Sequence, residues 1–217
     1  IGYTDVDGAE VTLLNSLDLT LDSKEIIALV GESGCGKTLT AKAILGVLPD
    51  NLRIGSGSIR FDGRDIVSVD ESEFQKLRGH AFTLVPQHPL SSLNPVFTVA
   101  EQIFDLICFQ GRTRVGPVEY WRPRLNLKRR REIRKRTIEV LREVSLPDPE
   151  EILRRYPLEL SGGMSQRVLI AMALLGDPTI IIADEPGTAL DVTIESQIND
   201  LLIERVHARG TAMIYIT

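Results

Sequence analysis

The sequence predicts an α/β fold in which a mostly parallel core sheet is flanked by helices. Four short apolar runs have the continuous hydrophobicity of buried parallel strands. They are residues 26–30, 81–85, 179–183 and 212–216. Apolar residues recur at helical spacing in the segments between these runs, and strands that alternate with helices are typical of this fold class.

The first apolar run ends in a glycine-rich loop with the pattern G-x-x-x-x-G-K-T. Its glycines let the backbone curl so that successive amide N–H groups converge on phosphate oxygens. The Lys37 ammonium brings a positive charge to the β- and γ-phosphates, and the Thr38 hydroxyl is a ligand for Mg²⁺. The order strand, loop, helix therefore predicts a phosphate-binding loop. The loop consists of Gly31, Glu32, Ser33, Gly34, Cys35, Gly36, Lys37 and Thr38.

The composition is that of an ordinary globular protein, since 43% of the 217 residues are hydrophobic and 25% are charged. The net charge of −5 argues against nucleic acid as the main partner. Cys35 and Cys108 are the only cysteines, which excludes a disulfide framework and favours a reducing cytosolic setting. No apolar run approaches the ~18 residues of a membrane span. We therefore expect no segment of this sequence to cross a bilayer.

Residues 1–30 are predicted to form strands joined by turns, one of them at residues 5–8. The apolar residues that support this pattern are Val11, Leu13, Leu17, Leu19 and Leu21. Farther on, Asp62 and Gly63 predict a hairpin turn. Tyr3 has two interpretations, a half-buried strand aromatic or an aromatic ring that stacks on a purine.

The pattern becomes helical from about residue 98 to residue 158. Residues 122–136 contain nine Lys or Arg and a single acid, Glu132. This basic run is either a solvated helical surface or a docking surface for an acidic partner or anionic lipid headgroups. A nucleic-acid groove fits the overall acidity least. Trp121, at the edge of the run, is interpreted as a packing anchor.

A second helix-forming segment begins with residues 160–167, LSGGMSQR, and is apolar nearly all round. Ser161 is placed to cap this helix. Gly162 and Gly163 lower helix stability in the first turn, but they leave backbone N–H groups open to a close anion. Asp191 is the candidate cap of a further helix that starts near residue 192.

The apolar run at residues 179–183 ends in Asp184 and Glu185. Two adjacent carboxylates at the end of a buried strand are costly without a cation. Ligands of open α/β sheets bind at the carboxyl ends of the strands. A magnesium nucleotide at this edge explains the acidic pair.

Taken in order, GESGCGKT, Gln87 after a strand, LSGGMSQR, IIIADEP and ALD resemble the ATP-binding cassette of ABC transporters. PQHPLSSLNPVFTVAEQI and RRYPLELSGGMSQRVLIAMALLGDPTIIIADEP resemble the ATPase subunits of oligopeptide, dipeptide and nickel importers. The resemblance covers essentially the whole chain. It implies one P-loop NTPase domain over residues 1–217, with an antiparallel β subdomain beside the core sheet. Residues 1–88 and 161–217 would form the nucleotide-binding core, and residues 89–160 an inserted α-helical subdomain.

The same resemblance implies a role for each motif residue. Residues 31–38 would bind the phosphates of ATP, and Tyr3 would stack on the adenine. Thr38, Gln87 and Asp184 would hold or sense Mg²⁺. Glu185 would act as the general base, with Gln87 and Lys37 as the other catalytic residues. The residues that would close the ATP site of a facing subunit are Ser161, Gly162, Gly163 and, at the dimer seam, Asp191.

The implied activity is ATP hydrolysis that powers import of peptides or a related small solute. The implied partners are a second ATPase subunit, membrane permease subunits and, indirectly, an extracytoplasmic solute-binding protein, with no nucleic acid. The implied location is the cytoplasmic face of the cell membrane. Two other classes stay open: a soluble ABC ATPase that acts on nucleic acid or ribosomes, and a regulatory module that binds nucleotide without hydrolysing it.

This sequence departs from the family pattern in three respects. The switch histidine of the family follows the final strand, where this sequence stops, so we expect a truncated C-terminal end; His80, His88 and His207 are elsewhere. The C-terminal extension of the peptide-importer subgroup is also absent. Gly187 and Leu158 stand where the subgroup usually has Thr and His, and Gly187 is expected to loosen the loop beside Glu185.

Overall fold

A computed structural model describes residues 1–4, 9–110, 115–188 and 190–217. The strands are β1 (Gly2–Thr4), β2 (Glu10–Thr12), β3 (Ile26–Leu29), β4 (Arg60–Phe61), β5 (Arg64–Asp65), β6 (Phe82–Val85), β7 (Ile180–Asp184) and β8 (Ala212–Ile216). The helices are α1 (Lys37–Ile44), α2 (Glu71–Leu77), α3 (Pro89–Ser92), α4 (Val99–Phe109), α5 (Pro117–Leu125), α6 (Leu127–Glu143), α7 (Pro149–Ile152), α8 (Gly162–Leu175) and α9 (Val192–Arg209). A 3₁₀ turn at Pro157–Glu159 precedes α8.

The core sheet has four parallel strands in the order β3, β8, β7, β6. Its register aligns Leu29 with Ile216 and Ile216 with Asp184, so the strands end together at one edge. The segments after β3, β6 and β7 therefore meet at the carboxyl edge, where ligands bind in sheets of this type. Two antiparallel pairs, β1 with β2 and β4 with β5, accompany the core sheet. The predicted fold class is confirmed.

Two hydrophobic clusters cover opposite faces of the sheet, as the period-two alternation of strand side chains requires. Ile181 and Ala183 of β7 belong to the larger cluster, and Ile182 belongs to the smaller one. The larger cluster contains buried residues of α4, α6, α8 and α9, whereas the smaller contains residues of α1 and α2. Helices from residues 89–160 thus share a core with the sheet, and the division into subdomains stays a prediction.

The strand pattern predicted for residues 13–21 is wrong. These residues contain no strand, and Leu13, Leu17 and Leu19 are exposed. The β2 ladder ends where the amides of Leu13 and Leu14 both donate to the carbonyl of Ile1. In the described part of the chain no strand pairs with Leu17 or Leu19, and alternation alone does not make a strand.

The first apolar run is also less buried than predicted. β3 ends at Leu29, Val30 is exposed, and Ala28 within the strand is exposed as well. Within the described residues β3 pairs with β8 alone, so it is an edge strand.

Several local predictions are confirmed. Asp62 and Gly63 turn the β4–β5 hairpin. Ser161 caps α8, since its Oγ accepts from the amide of Met164 at 3.3 Å. Asp191 is the N-cap residue of α9, but its side chain makes no capping hydrogen bond. The turn predicted at residues 5–8 lies outside the described residues. Among those described, none of the helices has the length and apolarity that crossing a bilayer requires.

Arg209, near the end of α9, joins α9 to α6 and to the end of α8. Its guanidinium donates to Glu143 Oε2 at 2.7 Å, to Asp177 Oδ1 at 2.8 Å and to the carbonyl of Leu174 at 3.1 Å. Arg136 of α6 donates to the other carboxylate oxygen of Asp177. These bonds tie the helices of residues 89–160 to the elements that support the sheet.

We expect Arg209→Met to lower the free energy of unfolding by about 2 kcal/mol, because it removes charged hydrogen bonds while keeping the apolar stem. Urea unfolding measures this loss. The control is Lys135→Met, which removes only an exposed pair with Glu139 at 4.0 Å and is expected to cost less than about 0.5 kcal/mol. Equal losses in both variants would contradict a linking role for Arg209.

Candidate functional site

The phosphate-binding loop connects the end of β3 to the start of α1. Gly34 and Gly36 have φ of 82° and 103°, a region that favours glycine. A Cβ on Gly31 would lie 2.7 Å from Cys35 Sγ, and one on Gly36 would lie 3.0 Å from Leu14 Cδ1. Backbone conformation thus favours glycine at positions 34 and 36, and close contacts favour it at positions 31 and 36. The second of these contacts also places the chain after β2 beside the loop.

Lys37 begins α1, and its side chain is only 8% exposed. Its Nζ donates to the carbonyls of Gly31 at 2.6 Å and Glu32 at 3.2 Å. The same Nζ lies 3.9 Å from Glu185 Oε1. The ammonium is therefore held between the loop backbone and the acidic residues at the end of β7.

Asp184, the last residue of β7, meets the first turn of α1. The Thr38 hydroxyl donates to Asp184 Oδ1 at 3.2 Å. Burial raises the pKa of the Asp184 carboxyl, the hydrogen bond from Thr38 opposes this rise, and the charge of Glu185 adds to it. A hydroxyl and a carboxylate oxygen thus lie together beside the phosphate-binding loop.

Glu185 is held by β8 and by the segment that follows β6. Its amide donates to the carbonyl of Ile216 at 3.0 Å, and its Oε2 accepts from Gln87 Nε2 at 2.8 Å. Its φ of 46° is unusual for a residue with a side chain. Strain of this kind costs on the order of 1–3 kcal/mol and persists where the surroundings impose it. The structure therefore brings Lys37, Thr38, Gln87, Asp184 and Glu185 into one cluster of contacts.

The other predicted site residues lie outside this cluster. Ser161 is exposed at the start of α8, Asp191 is exposed at the start of α9, and Tyr3 is half-buried in β1. Among the described residues, no hydrogen bond joins these three to the phosphate-binding loop. The roles expected of these three residues stay predictions.

The two glycines at the start of α8 have a packing role that the sequence did not reveal. A Cβ on Gly162 would lie 2.9 Å from Leu190 Cδ2, and one on Gly163 would lie 3.0 Å from Ile194 Cγ2. Close packing against the start of α9 therefore favours glycine at both positions, independently of any anion.

Gln166, which sequence reasoning missed, connects α8 to the site. It is fully buried, and its Nε2 donates to the carbonyl of Pro86 at 3.3 Å, next to Gln87. Its Oε1 has no hydrogen-bond partner among the described residues. Its place at the start of the long apolar stretch of α8 was the available signal. Gln166 positions the segment that carries Gln87.

Residues 14–188 match the sequence model of a protein family that is described as ABC transporter. The chain belongs to the ABC transporter family. The matched span contains the phosphate-binding loop, Gln87, the start of α8 and the Asp184–Glu185 pair. The predicted family membership is thereby confirmed.

Relatives of this ABC cassette include proteins named for peptide transport. The oligopeptide transport ATP-binding protein OppD of Salmonella typhimurium is 40% identical over 218 residues, which is 100% of this chain and 60% of OppD. The peptidoglycan transport ATP-binding protein YejF of Agrobacterium fabrum is 41% identical over 212 residues, 97% of this chain and 36% of YejF. The chain thus spans at most about three fifths of either relative, and the predicted resemblance to peptide-importer ATPases is confirmed.

Solved structures agree on the cassette fold. The dimeric structure of the ATP-binding cassette MJ0796 in a post-hydrolysis state bound to ADP and Pi has a TM-score of 0.77 at 26% identity. The match covers 100% of this chain and 84% of that one. CbiO1 from Clostridium perfringens, part of the ABC transporter complex cbiONQ, has a TM-score of 0.73 at 26% identity. That match covers 100% of this chain and 75% of CbiO1.

Gly187, beside Glu185, is buried against α9. A Cβ there would lie 2.5 Å from Glu195 Cγ and 3.2 Å from its Cα. We expect Gly187→Ala to lower the melting temperature, since overpacking costs about 1–3 kcal/mol. Adding Glu195→Ala, which removes the closest atom, is expected to recover most of the loss. Gly55→Ala is the control, because no atom lies within 4 Å of its added Cβ; an equal shift in the control would refute the contact.

Proposed function

We propose that this chain is the ATP-binding and ATP-hydrolysing subunit of an importer for peptides or a related small solute. The observation that supports this most is the contact cluster formed by Lys37, Thr38, Gln87, Asp184 and Glu185. It joins a phosphate-binding loop to two carboxylates and an amide at one edge of the sheet. The peptide-transport names of the relatives favour that substrate class.

Binding of the triphosphate is assigned to residues 31–38. The N–H groups of the loop and of the first turn of α1 face the phosphates, and the helix N-terminus favours their negative charge. Lys37 already lies between the loop carbonyls and Glu185, so it needs only to turn toward a phosphate oxygen. Tyr3, in the hairpin that precedes the loop, is the proposed stacking residue for the adenine.

The residues at the end of β7 fit Mg²⁺. This ion takes oxygen ligands and is usually bound through one or two carboxylates together with substrate phosphates. The Thr38 hydroxyl and the Asp184 carboxylate supply such oxygens, and Gln87 adds an amide. Within the described residues no group of three or more His, Cys, Asp and Glu could hold a metal by itself. That agrees with an ion shared with phosphates; when bound, Mg²⁺ would neutralise their developing charge.

Glu185 is the proposed general base. Hydrolysis needs a carboxylate that accepts a proton from the attacking water. The hydrogen bond from Gln87 occupies one oxygen of Glu185 and orients the carboxylate, and the Lys37 ammonium lies 3.9 Å from its other oxygen. Gln87 follows β6 and precedes α3, so it also links the base to the helices of residues 89–160. Through that link it would couple the site to a permease.

The exposed start of α8 is proposed to complete the ATP site of a second subunit. Ser161 is exposed there, and Gly162 and Gly163 in the first turn carry no side chains of their own and are partly exposed. MJ0796 forms dimers in its solved structures. A dimer in which each start of α8 closes the facing loop, with Asp191 at the seam, explains why Ser161 and Asp191 lie outside the contact cluster. Permease subunits and a solute-binding protein would complete a transporter on the cytoplasmic face of the membrane.

We expect Glu185→Gln to lower ATP turnover at least 100-fold, because the amide cannot accept the proton of water. ATP binding should persist, and a nucleotide-bound dimer should accumulate in size-exclusion chromatography. The control is Glu132→Gln, an exposed substitution on α6, which should leave turnover unchanged. Undiminished turnover in Glu185→Gln would remove the general-base role, and failure of the unaltered chain to bind ATP would refute the proposed function.

Cys35 gives an independent test of the phosphate site. Its thiol is exposed in the loop, whereas Cys108 is buried in α4. We expect N-ethylmaleimide to modify Cys35 alone in the folded protein, and magnesium ATP to slow that reaction at least tenfold by covering the loop. Mass spectrometry of proteolytic peptides measures the extent of modification at each cysteine. After denaturation both cysteines should react, and a rate unaffected by ATP would place the nucleotide elsewhere.

A further inference from the structure

The corner between α5 and α6 exposes large apolar side chains. Asn126 separates the two helices and caps α6, where its Oδ1 accepts from the amide of Arg129 at 3.0 Å. Around it, Trp121 is 58% exposed, Leu125 77% and Leu127 66%. Trp121 and Leu125 lie one turn apart on α5 and therefore share a face. The interpretation of Trp121 as a packing anchor is wrong.

The packing of the two helices leaves this corner uncovered. The Tyr120 ring stacks on Phe109 of α4 at 5.6 Å between centroids, and Trp121 meets only the edge of that pair, 5.5 Å from Tyr120. α6 packs on the core through its second half, where Thr137 and Leu141 are buried. Its first turn has no buried residue, so the corner is held in place by its neighbours but is not part of the core.

Four positively charged residues follow the exposed leucines directly in the sequence. Lys128, Arg129, Arg130 and Arg131 are all exposed, and none forms an ion pair with a described residue. Farther along α6 the arrangement differs, since Arg142 pairs with Glu150 at 3.2 Å. Cations in the first turn of a helix oppose its macrodipole. The three cations of this turn, Lys128, Arg129 and Arg130, therefore do not stabilise α6, and together with Arg131 they are available to an anion outside the chain.

We propose that this basic–apolar corner, Trp121, Leu125, Leu127 and residues 128–131, docks on an anionic membrane surface. Such a surface offers phosphate and carboxylate groups to the cations and an acyl boundary to the exposed rings and leucines. Tryptophan is enriched at that interface, where its ring is partly apolar and its N–H reaches a polar layer. The contact is peripheral and would orient the molecule.

The observations favour a lipid surface over a protein or a nucleic acid. An acidic peptide would neutralise residues 128–131 but would leave Leu125 and Leu127 in water. A duplex nucleic acid would pair with the four cations through its phosphates but would also leave Leu125 and Leu127 in water. The net charge of −5 turns the rest of the molecule away from an anionic surface, so the basic–apolar corner is the part that faces a bilayer. The contact needs neither ATP nor a permease. Its test is therefore independent of the test of the proposed function.

Trp121 reports the contact directly, because it is the only tryptophan in the sequence. The unaltered chain is mixed with vesicles of phosphatidylcholine, with or without phosphatidylserine. We expect the fluorescence of Trp121 to shift to shorter wavelength only with phosphatidylserine, and bromine in the acyl chains to quench it. Raised salt should reverse the shift, because the attraction is screened.

Matched variants separate charge from apolar contact. Arg129→Gln with Arg130→Gln is expected to weaken vesicle binding roughly 30-fold, about fivefold for each charge near the surface. Arg60→Gln with Arg64→Gln removes the same charge from an exposed hairpin and should weaken binding less than about twofold. Leu125→Ser should weaken binding about tenfold through lost apolar burial. Leu158→Ser, at an equally exposed leucine, should have no effect.

Three results would overturn the proposal. One is equal binding to vesicles without phosphatidylserine, and a second is equal loss in the paired variants. The third is an unshifted Trp121 spectrum with anionic vesicles, together with binding of polyglutamate to residues 128–131, which would assign the corner to an acidic protein.

Discussion

Two hydrogen bonds at the end of β7 hold the candidate site together: Thr38 to Asp184, and Gln87 to Glu185. The first joins the phosphate-binding loop to the central part of the sheet, and the second joins the segment after β6 to the same point. Each bond spans more than 90 residues of sequence, so both depend on the parallel register of the four strands. The chemistry of the site is thus a consequence of sheet topology, because a strand out of register would separate these groups.

Burial and the neighbouring negative charge both disfavour the ionised carboxylate of Asp184. Burial raises the pKa of Asp184, and the neighbouring Glu185 raises it further. The left-handed backbone of Glu185 adds strain. Neither feature stabilises the fold, whereas the apolar layers on the two faces of β7 do. Hydrophobic packing therefore holds in place a costly pair of carboxylates, and a bound cation would reduce that cost.

The sequence predicted those parts of the structure that depend on local chemistry. The loop between β3 and α1, the cap at Ser161 and the turn at Asp62 and Gly63 depend on short sequence patterns, and the structure contains all three. The strand prediction at Leu17 and Leu19 was wrong because an alternating segment becomes a strand only where a partner strand lies beside it. The contacts of Gly162, Gly163 and Gly187 were invisible for a similar reason, since the side chains that exclude a Cβ come from residues 190–195. Gln87 and Glu185 were both predicted as site residues, but their hydrogen bond depends on the tertiary structure and could not be predicted from the sequence.

α8 has a mechanical property that follows from its surroundings. It is buried on nearly every side over its 14 residues, a length of about 21 Å. One end is the glycine turn packed against the start of α9, and the other is held where Arg136 and Arg209 meet Asp177. Because a closely packed core does not compress, α8 resists bending and behaves as a rigid strut. Force applied to the glycine end is therefore delivered to the arginine-bound end, some four turns away, with little loss along its length.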